Sequence, residues 1–239
     1  ERKQRAKLRE AQEELIRANK FKILGELASG MAHEIRNPLG SIQGALEIIK
    51  GDYKEGDKKS EFIDILFREF KRLNRVVTDF LSYARPTKPA LVNCDLNQLL
   101  QESLSIIKPE ADKKKIALKT HLNPKLPQVQ ADPYQIKQAF LNLLLNSLQS
   151  IENSGEISVT SRVEAQNGWL TIEFKDTGKG ISTENLDKVF TPFFTTKKEG
   201  IGLGLGIVER IVQNHNGKVL VESQEGRGTV FTIKLPQKV

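Results

Sequence analysis

The sequence predicts an α+β protein in two parts: a helical hairpin that pairs into a dimeric four-helix bundle, then an α/β sandwich. Three observations predict it. Up to about residue 84 apolar residues recur every three or four positions, with no strand-like alternation between them. A charged stretch with two prolines, Arg85-Pro86-Thr87-Lys88-Pro89, then ends the pattern. Beyond it, short alternating runs mix with amphipathic helices, as in one mixed sheet covered by helices.

Residues 1–50 contain no proline before Pro38 and read as one long helix. Leu8, Ala11, Leu15 and Ala18 form a heptad-like seam, so residues 1–20 are expected to be a signalling coiled coil. The seam then shifts phase to Phe21, Leu24, Ala28 and Met31 and continues through Ile35, Leu39, Ile42, Leu46 and Ile49. A chain that opens in mid-helix predicts a longer protein, with a sensor or membrane part upstream. Gly51 to Asp57 reads as a loop. A second helix, from about Lys59 to Ala84, carries Phe62, Leu66, Phe70, Leu73, Val77 and Phe80 on one face. Two such helices bury only part of their apolar surface, and a second copy would bury the rest. The expected domains are therefore 1–20, a hairpin domain over 21–85, a linker over 86–90 and a sandwich over 91–239. Within the sandwich we expect strands at Leu91–Cys94, Ile116–His121, Glu156–Val163, Trp169–Asp176, Lys218–Ser223 and Thr229–Leu235. Helices are expected at Leu96–Lys114, Pro133–Ile151 and Leu203–Asn214.

Composition narrows the function. Of 239 residues 28% are charged and the net charge is +7, which with a mean hydropathy of −0.40 describes a soluble globular chain. No run of about 18 apolar residues is present, and the first helix is not expected to be a signal peptide. A lone cysteine, Cys94, excludes a disulfide framework and fits a reducing cytoplasm as a packing residue. Any membrane anchor would lie in a missing N-terminal part. The basic residues of the first helix interleave with Glu10, Glu13 and Glu14, and no basic and aromatic platform is seen. Nucleic acid is therefore not the expected partner. A basic surface suits ATP or acidic partners.

The stretch from Gly30 to Leu39 places His33 two residues from both Met31 and Ile35, roughly opposite the apolar stripe. Glu34 follows it directly, and Asn37 shares its face one turn on. An exposed imidazole beside a carboxylate can be a nucleophile with its own base. In the second part, Asn142 and Asn146 stand at i and i+4 on one helix. Amide oxygens there suit a Mg²⁺ that keeps water and phosphate ligands. Asp176-Thr177-Gly178-Lys179-Gly180 closes a strand: a carboxylate for an adenine amine and glycines for close approach. Gly200, Gly202, Gly204 and Gly206 alternate and run into an apolar helix, whose N-terminal N–H groups favour phosphate. No Gly-Lys-Ser/Thr follows, so this is not a Walker A loop. Before it, Thr191-Pro-Phe-Phe-Thr-Thr-Lys197-Lys198 has the make-up of a lid. Gly226-Arg227-Gly228-Thr229 turns into the last strand.

In this order, behind a hairpin with His33-Glu34-x-x-Asn37-Pro38, these motifs resemble the sensor histidine kinases of two-component systems, over essentially the whole chain and most closely the nitrogen-regulation type. The resemblance implies the ATP-binding fold shared with gyrase, Hsp90 and MutL. It makes His33 the phospho-acceptor, fed by Mg-ATP, and an aspartate on a response-regulator receiver domain the final acceptor. Asn142 and Asn146 become the asparagine box, with Asn146 on Mg²⁺. Asp176, Gly178 and Gly180 form an adenine site completed by Thr229. Gly202, Leu203, Gly204 and Leu205 shape the lid, Phe190–Phe194 are the phenylalanine box, and Lys197 or Lys198 reaches the phosphates. Where this chain has Asn142, hydrolytic relatives carry a glutamate that activates water, so an amide there points to transfer rather than hydrolysis. Gln149 departs from a position that is often basic. Pro38 should bend the helix just past His33. The resemblance also implies a homodimer and a phosphatase activity on the regulator, served by Asn37. A stand-alone ATPase switch and a non-catalytic dimeric scaffold are the readings it displaces.

Overall fold

The structure is a computed structural model that describes residues 39–49, 58–84, 88–164, 168–197 and 202–237. The expected coiled coil of residues 1–20, the segment His33–Pro38 and the 51–57 loop lie outside the described residues. The chain divides into two compact units, Glu1–Thr87 and Lys88–Val239.

In the first unit, α1 (residues 39–49) and α2 (Lys58–Ala84) are both helical. Leu39, Leu46 and Phe70 are buried together, with Phe67 and Val77 packed against them. Ile63 is also buried. The sequence places Phe62, Leu66, Phe70, Leu73, Val77 and Phe80 on one face that a single chain covers only in part; Phe70 is buried and Val77 packs against its cluster. Phe62, Leu66 and Leu73 are exposed, as are Ile42 and Ile49 on α1. At 100° per residue the helix has room for two apolar stripes, and the inner one runs through Ile63, Phe67 and Phe70.

The second unit is a two-layer sandwich. In chain order it comprises β1 (Val92–Cys94), α3 (Leu96–Lys113), β2 (Ile116–Leu122), β3 (Val129–Ala131) and α4 (Pro133–Ser150). Then come β4 (Gly155–Glu164), β5 (Trp169–Asp176), α5 (Thr183–Leu186), α6 (Gly204–Asn214), β6 (Lys218–Gln224) and β7 (Gly228–Pro236). The main sheet has the order β2-β4-β5-β7-β6. β2 runs parallel to β4 and all other neighbours are antiparallel. β1 and β3 make a separate antiparallel pair. β3 and α5 were not foreseen: three- and four-residue elements are too short to show a period.

Alternation along β5 sends Leu170, Ile172, Phe174 and Asp176 to the face covered by helices. α4 lies between α3 and α6 on that face. Its buried stripe of Ile136, Phe140, Leu143, Leu144, Ser147 and Leu148 meets the sheet, and the Phe140 ring packs 5.6 Å from Phe174. Asp132 starts α4: its carboxylate accepts from the Tyr134 and Gln135 N–H groups, and Pro133 fills the first helical position. The Lys114 ammonium closes the other end, donating to the Leu148 and Ile151 carbonyls. Buried His215 donates from Nδ1 to the Ile211 carbonyl and accepts the Asp132 N–H at Nε2, so it is neutral and structural. Cys94 is buried, and burial pushes its thiol above the ordinary range, as for a packing residue. Among the described residues no helix is long and apolar enough to cross a membrane.

Candidate functional site

The site forms where the C-terminal half of α4, the end of β5 and the start of α6 meet. Asp176 is the last residue of β5 and is 1% exposed. Its Oδ1 accepts from the Gly178 N–H at 2.8 Å and lies 3.0 Å from the Ser150 hydroxyl. Its Oδ2 is buried and, among the described residues, has no hydrogen-bond partner. An orphaned carboxylate oxygen costs on the order of 1–3 kcal/mol, more for a charge. A site that keeps one is built to accept a donor from elsewhere.

Glycines hold the surrounding chain close. A Cβ on Gly178 would strike the Ser150 hydroxyl, and one on Gly228 would strike the Asp176 carbonyl. Gly180, at φ +72°, presses on the Gln224 carbonyl. Across the ladder Asp176 faces Thr229, whose hydroxyl lies 2.9 Å from Ser223 Oγ.

On α4, Asn142 Nδ2 donates to the Gly204 carbonyl at 3.2 Å, tying the helix to the start of α6. Asn146 lies one turn on. Its Oδ1 accepts from the Lys197 ammonium at 2.5 Å, and the same ammonium donates to Gln149 Oε1 at 3.0 Å. Burial, with repulsion from Lys179 and Lys114 against attraction from Asp176, lowers the Lys197 pKa to about 8. The α6 N-terminus begins at Leu203, which is 1% exposed and offers no side-chain cap. Among the described residues no side chain caps the N–H groups of the first turn, at Gly204 and Leu205. Gly202 takes φ +74° and its carbonyl accepts the Phe193 N–H at 2.9 Å, which ties the phenylalanine segment to this turn. Phe190 anchors that segment edge-on to Phe231.

The structure therefore brings together Asn142, Asn146, Asp176, Gly178, Gly180, Lys197, Gly202, Leu203, Gly204, Leu205 and Thr229. Lys198, His33, Glu34 and Asn37 lie outside the described residues. Ser147 and Ser150 also border the site, although nothing in the sequence marks them, and Gln149 stands out there only as a departure from a position that is often basic. Hydroxyls inside a helix leave no periodic trace; burial alone singles them out. The donor set fits an adenine nucleotide: an unpartnered buried carboxylate oxygen for an amine, a helix N-terminus without a side-chain cap for phosphate, and open space where Gly204 lacks a side chain. Among the described residues no group of three or more His, Cys, Asp or Glu gathers as a metal cage.

The match to known proteins follows the same two-part division. Residues 23–89 match the His Kinase A (phospho-acceptor) domain. Residues 131–239 match the histidine kinase-, DNA gyrase B- and HSP90-like ATPase family. This chain is a member of the sensor histidine kinase family, as the portion that carries these two domains. Among its relatives is the sensor histidine kinase ZraS of Escherichia coli, 43% identical over 228 residues that cover 95% of this chain and 49% of ZraS. The chain thus spans about half the length of the curated relatives it matches. Among solved structures, full-length ShkA in complex with AMPPNP superposes with a TM-score of 0.77 at 25% identity, over 89% of this chain and 46% of ShkA. ThkA in complex with the response regulator protein TrrA gives 0.67 at 29% identity, over 97% of this chain and 67% of that one.

Proposed function

We propose that this chain binds Mg-ATP in its second unit, phosphorylates its own His33 and passes the phosphoryl group to an aspartate of a response-regulator receiver domain. The observation that carries the reading is the amide at position 142. Asn142 sits against the start of α6 through the Gly204 carbonyl, where hydrolytic relatives of this fold need a carboxylate base. An amide cannot take a proton from water, so bound ATP is kept for a protein nucleophile. The ThkA–TrrA complex supports a receiver partner, and ShkA with AMPPNP supports an adenine nucleotide as ligand.

In this reading Asp176 Oδ2 accepts from the adenine amine, Thr229 borders the base, and Gly178 and Gly180 let the backbone close on it. Gly202, Leu203, Gly204 and Leu205 present the α6 N-terminus to the phosphates. Lys197, now held by Asn146 and Gln149, or Lys198 supplies positive charge there. Asn146 would hold Mg²⁺, which neutralises phosphate charge when bound. The His33 imidazole attacks the γ-phosphorus, ADP leaves, and Glu34 takes the proton from the other ring nitrogen. Asn37, one turn from His33, positions water for removal of phosphate from the receiver. The hairpin pairs with a second copy, an upstream region supplies the signal, and the core works in the cytoplasm.

The test is incubation with γ-labelled ATP. Label should enter the protein and be acid-labile and alkali-stable. His33→Gln should abolish it with nucleotide affinity unchanged. Residual acid-labile label on His33→Gln would remove His33 from the reaction. With the cognate receiver, Asn37→Ala should keep most autophosphorylation and lose most phosphatase activity, while Glu34→Ala loses autophosphorylation. Equal loss of both activities in Asn37→Ala would make that residue a support for its helix only.

A further inference from the structure

Ser147 carries a second unexplained buried oxygen. The residue is fully buried, and among the described residues its hydroxyl has no hydrogen-bond partner. A helical serine ordinarily returns its proton to the carbonyl four residues back. Ser103, equally buried in α3, does so, donating to the Leu99 carbonyl at 2.7 Å. Ser147 does not, although nothing more than a χ1 rotation separates the two arrangements.

Its position explains what the hydroxyl is for. Phe140 packs on Phe174. Ser147 continues that helix stripe by two turns, and Asp176 continues that strand face by two residues, so both run towards the same end of the layer. Ser150 joins them: its hydroxyl lies 2.7 Å from the Ser147 carbonyl and 3.0 Å from Asp176 Oδ1. Several donors bordering Asp176 are already committed. The Gly178 N–H goes to Oδ1, and the single Ser150 proton goes to Oδ1 or to the Ser147 carbonyl. Ser223 donates to the Gly228 carbonyl and accepts the Ile181 N–H, so the proton between Ser223 and Thr229 is the one Thr229 gives. Among the described residues Ser147 thus carries an uncommitted hydroxyl at the same end of the layer as the uncommitted Asp176 Oδ2.

We propose that Ser147 reads the base: its hydroxyl donates, directly or through one water, to the ring nitrogen N1 of adenine while Asp176 Oδ2 accepts from the neighbouring amine. The inference rests on the adenine-nucleotide reading of this site. Acceptor beside donor on the protein matches amine beside N1 on adenine. Guanine presents the reverse order, a carbonyl beside an N–H: the Ser147 hydroxyl could turn to accept that N–H, but Asp176 Oδ2 would face the carbonyl oxygen with no donor between them.

The experiment measures binding by calorimetry, with ATP and with 1-deaza-ATP, in which N1 is replaced by C–H. Ser147→Ala should weaken ATP by about two- to tenfold, the range of one neutral hydrogen bond, and leave 1-deaza-ATP unchanged. Wild type should lose a similar factor between the two nucleotides. Thermal melting of nucleotide-free Ser147→Ala should show no loss, because alanine suits a helix and removes an orphaned hydroxyl. Equal weakening of both nucleotides would reduce Ser147 to packing, and no weakening of ATP would overturn the proposal. If wild type bound neither nucleotide, the adenine site itself would fail and this inference with it.

Discussion

Asp176 shows how much one side chain can be asked to do. One carboxylate oxygen fixes the turn through Gly178 and Ser150, and the other is left over. Asp176→Asn keeps the shape and the first set of bonds, with its amide nitrogen turned to the open side. Donor would then face donor, so ATP affinity should fall about 10- to 100-fold, the worth of a charge-assisted hydrogen bond. Calorimetry checks this, and an unchanged affinity would take Asp176 out of the base site. Glu164, at the far end of β4, is a residue of stability only. Lys234 and Thr171 hydrogen-bond its carboxylate and hold it below the ordinary carboxyl value of 4.5. Because the folded pKa is depressed, its contribution is complete above about pH 4.5 and fades as pH falls through the folded value. Glu164→Gln should therefore lower Tm at pH 7 and approach wild type below pH 4. A deficit that persisted in acid would mean that the loss is steric.

Elements differ in how clearly they announce themselves. The long strands and helices of the second unit were legible within a residue or two, because Ile172, Phe174 and Asp176 alternate and Phe140, Leu143 and Leu144 recur at helical spacing. β3 was not, since Val129 and Ala131 alone make no pattern. At the site, the motif residues could be read but their division of labour could not. Gly202 and Gly204 look alike in sequence. The structure separates them: Gly202 needs φ +74° and lies against the Phe194 carbonyl, whereas a Cβ on Gly204 meets nothing. Gly202→Ala should cost about 1–2 kcal/mol in backbone strain alone, a Tm loss of several degrees in a unit of this size. Gly204→Ala should leave Tm unchanged or raise it, since alanine favours a helix. It should nonetheless weaken nucleotide binding, because its methyl stands at the α6 N-terminus where phosphate is proposed to lie. Paired melting and binding curves check both. A Gly204→Ala protein that binds ATP like wild type would move the phosphates away from that turn.

For the molecule as a whole, the described hairpin leaves apolar surface that one chain does not cover. Leu39, Leu46, Ile63 and Phe70 are buried within it, yet Phe62 is 69% exposed, Leu66 55% and Leu73 51%, with Ile42, Ile48 and Ile49 likewise open on α1. The sequence showed the apolar content but not its split into an inner and an outer stripe, because both stripes obey the same helical spacing. An outer stripe of this kind calls for a cover, and the one proposed is a second hairpin, completing a four-helix bundle. Each leucine fully buried there contributes about 1.5–3 kcal/mol. Leu66→Glu with Leu73→Glu removes four such side chains per dimer and should weaken association more than about 10³-fold. Sedimentation velocity at micromolar concentration should show wild type as a dimer and the double variant as a monomer. ATP affinity should be equal in the two, since every nucleotide-site residue named here lies in the second unit. A wild-type protein that sediments as a monomer at that concentration would leave the stripe without its proposed cover and remove the dimer from the reading.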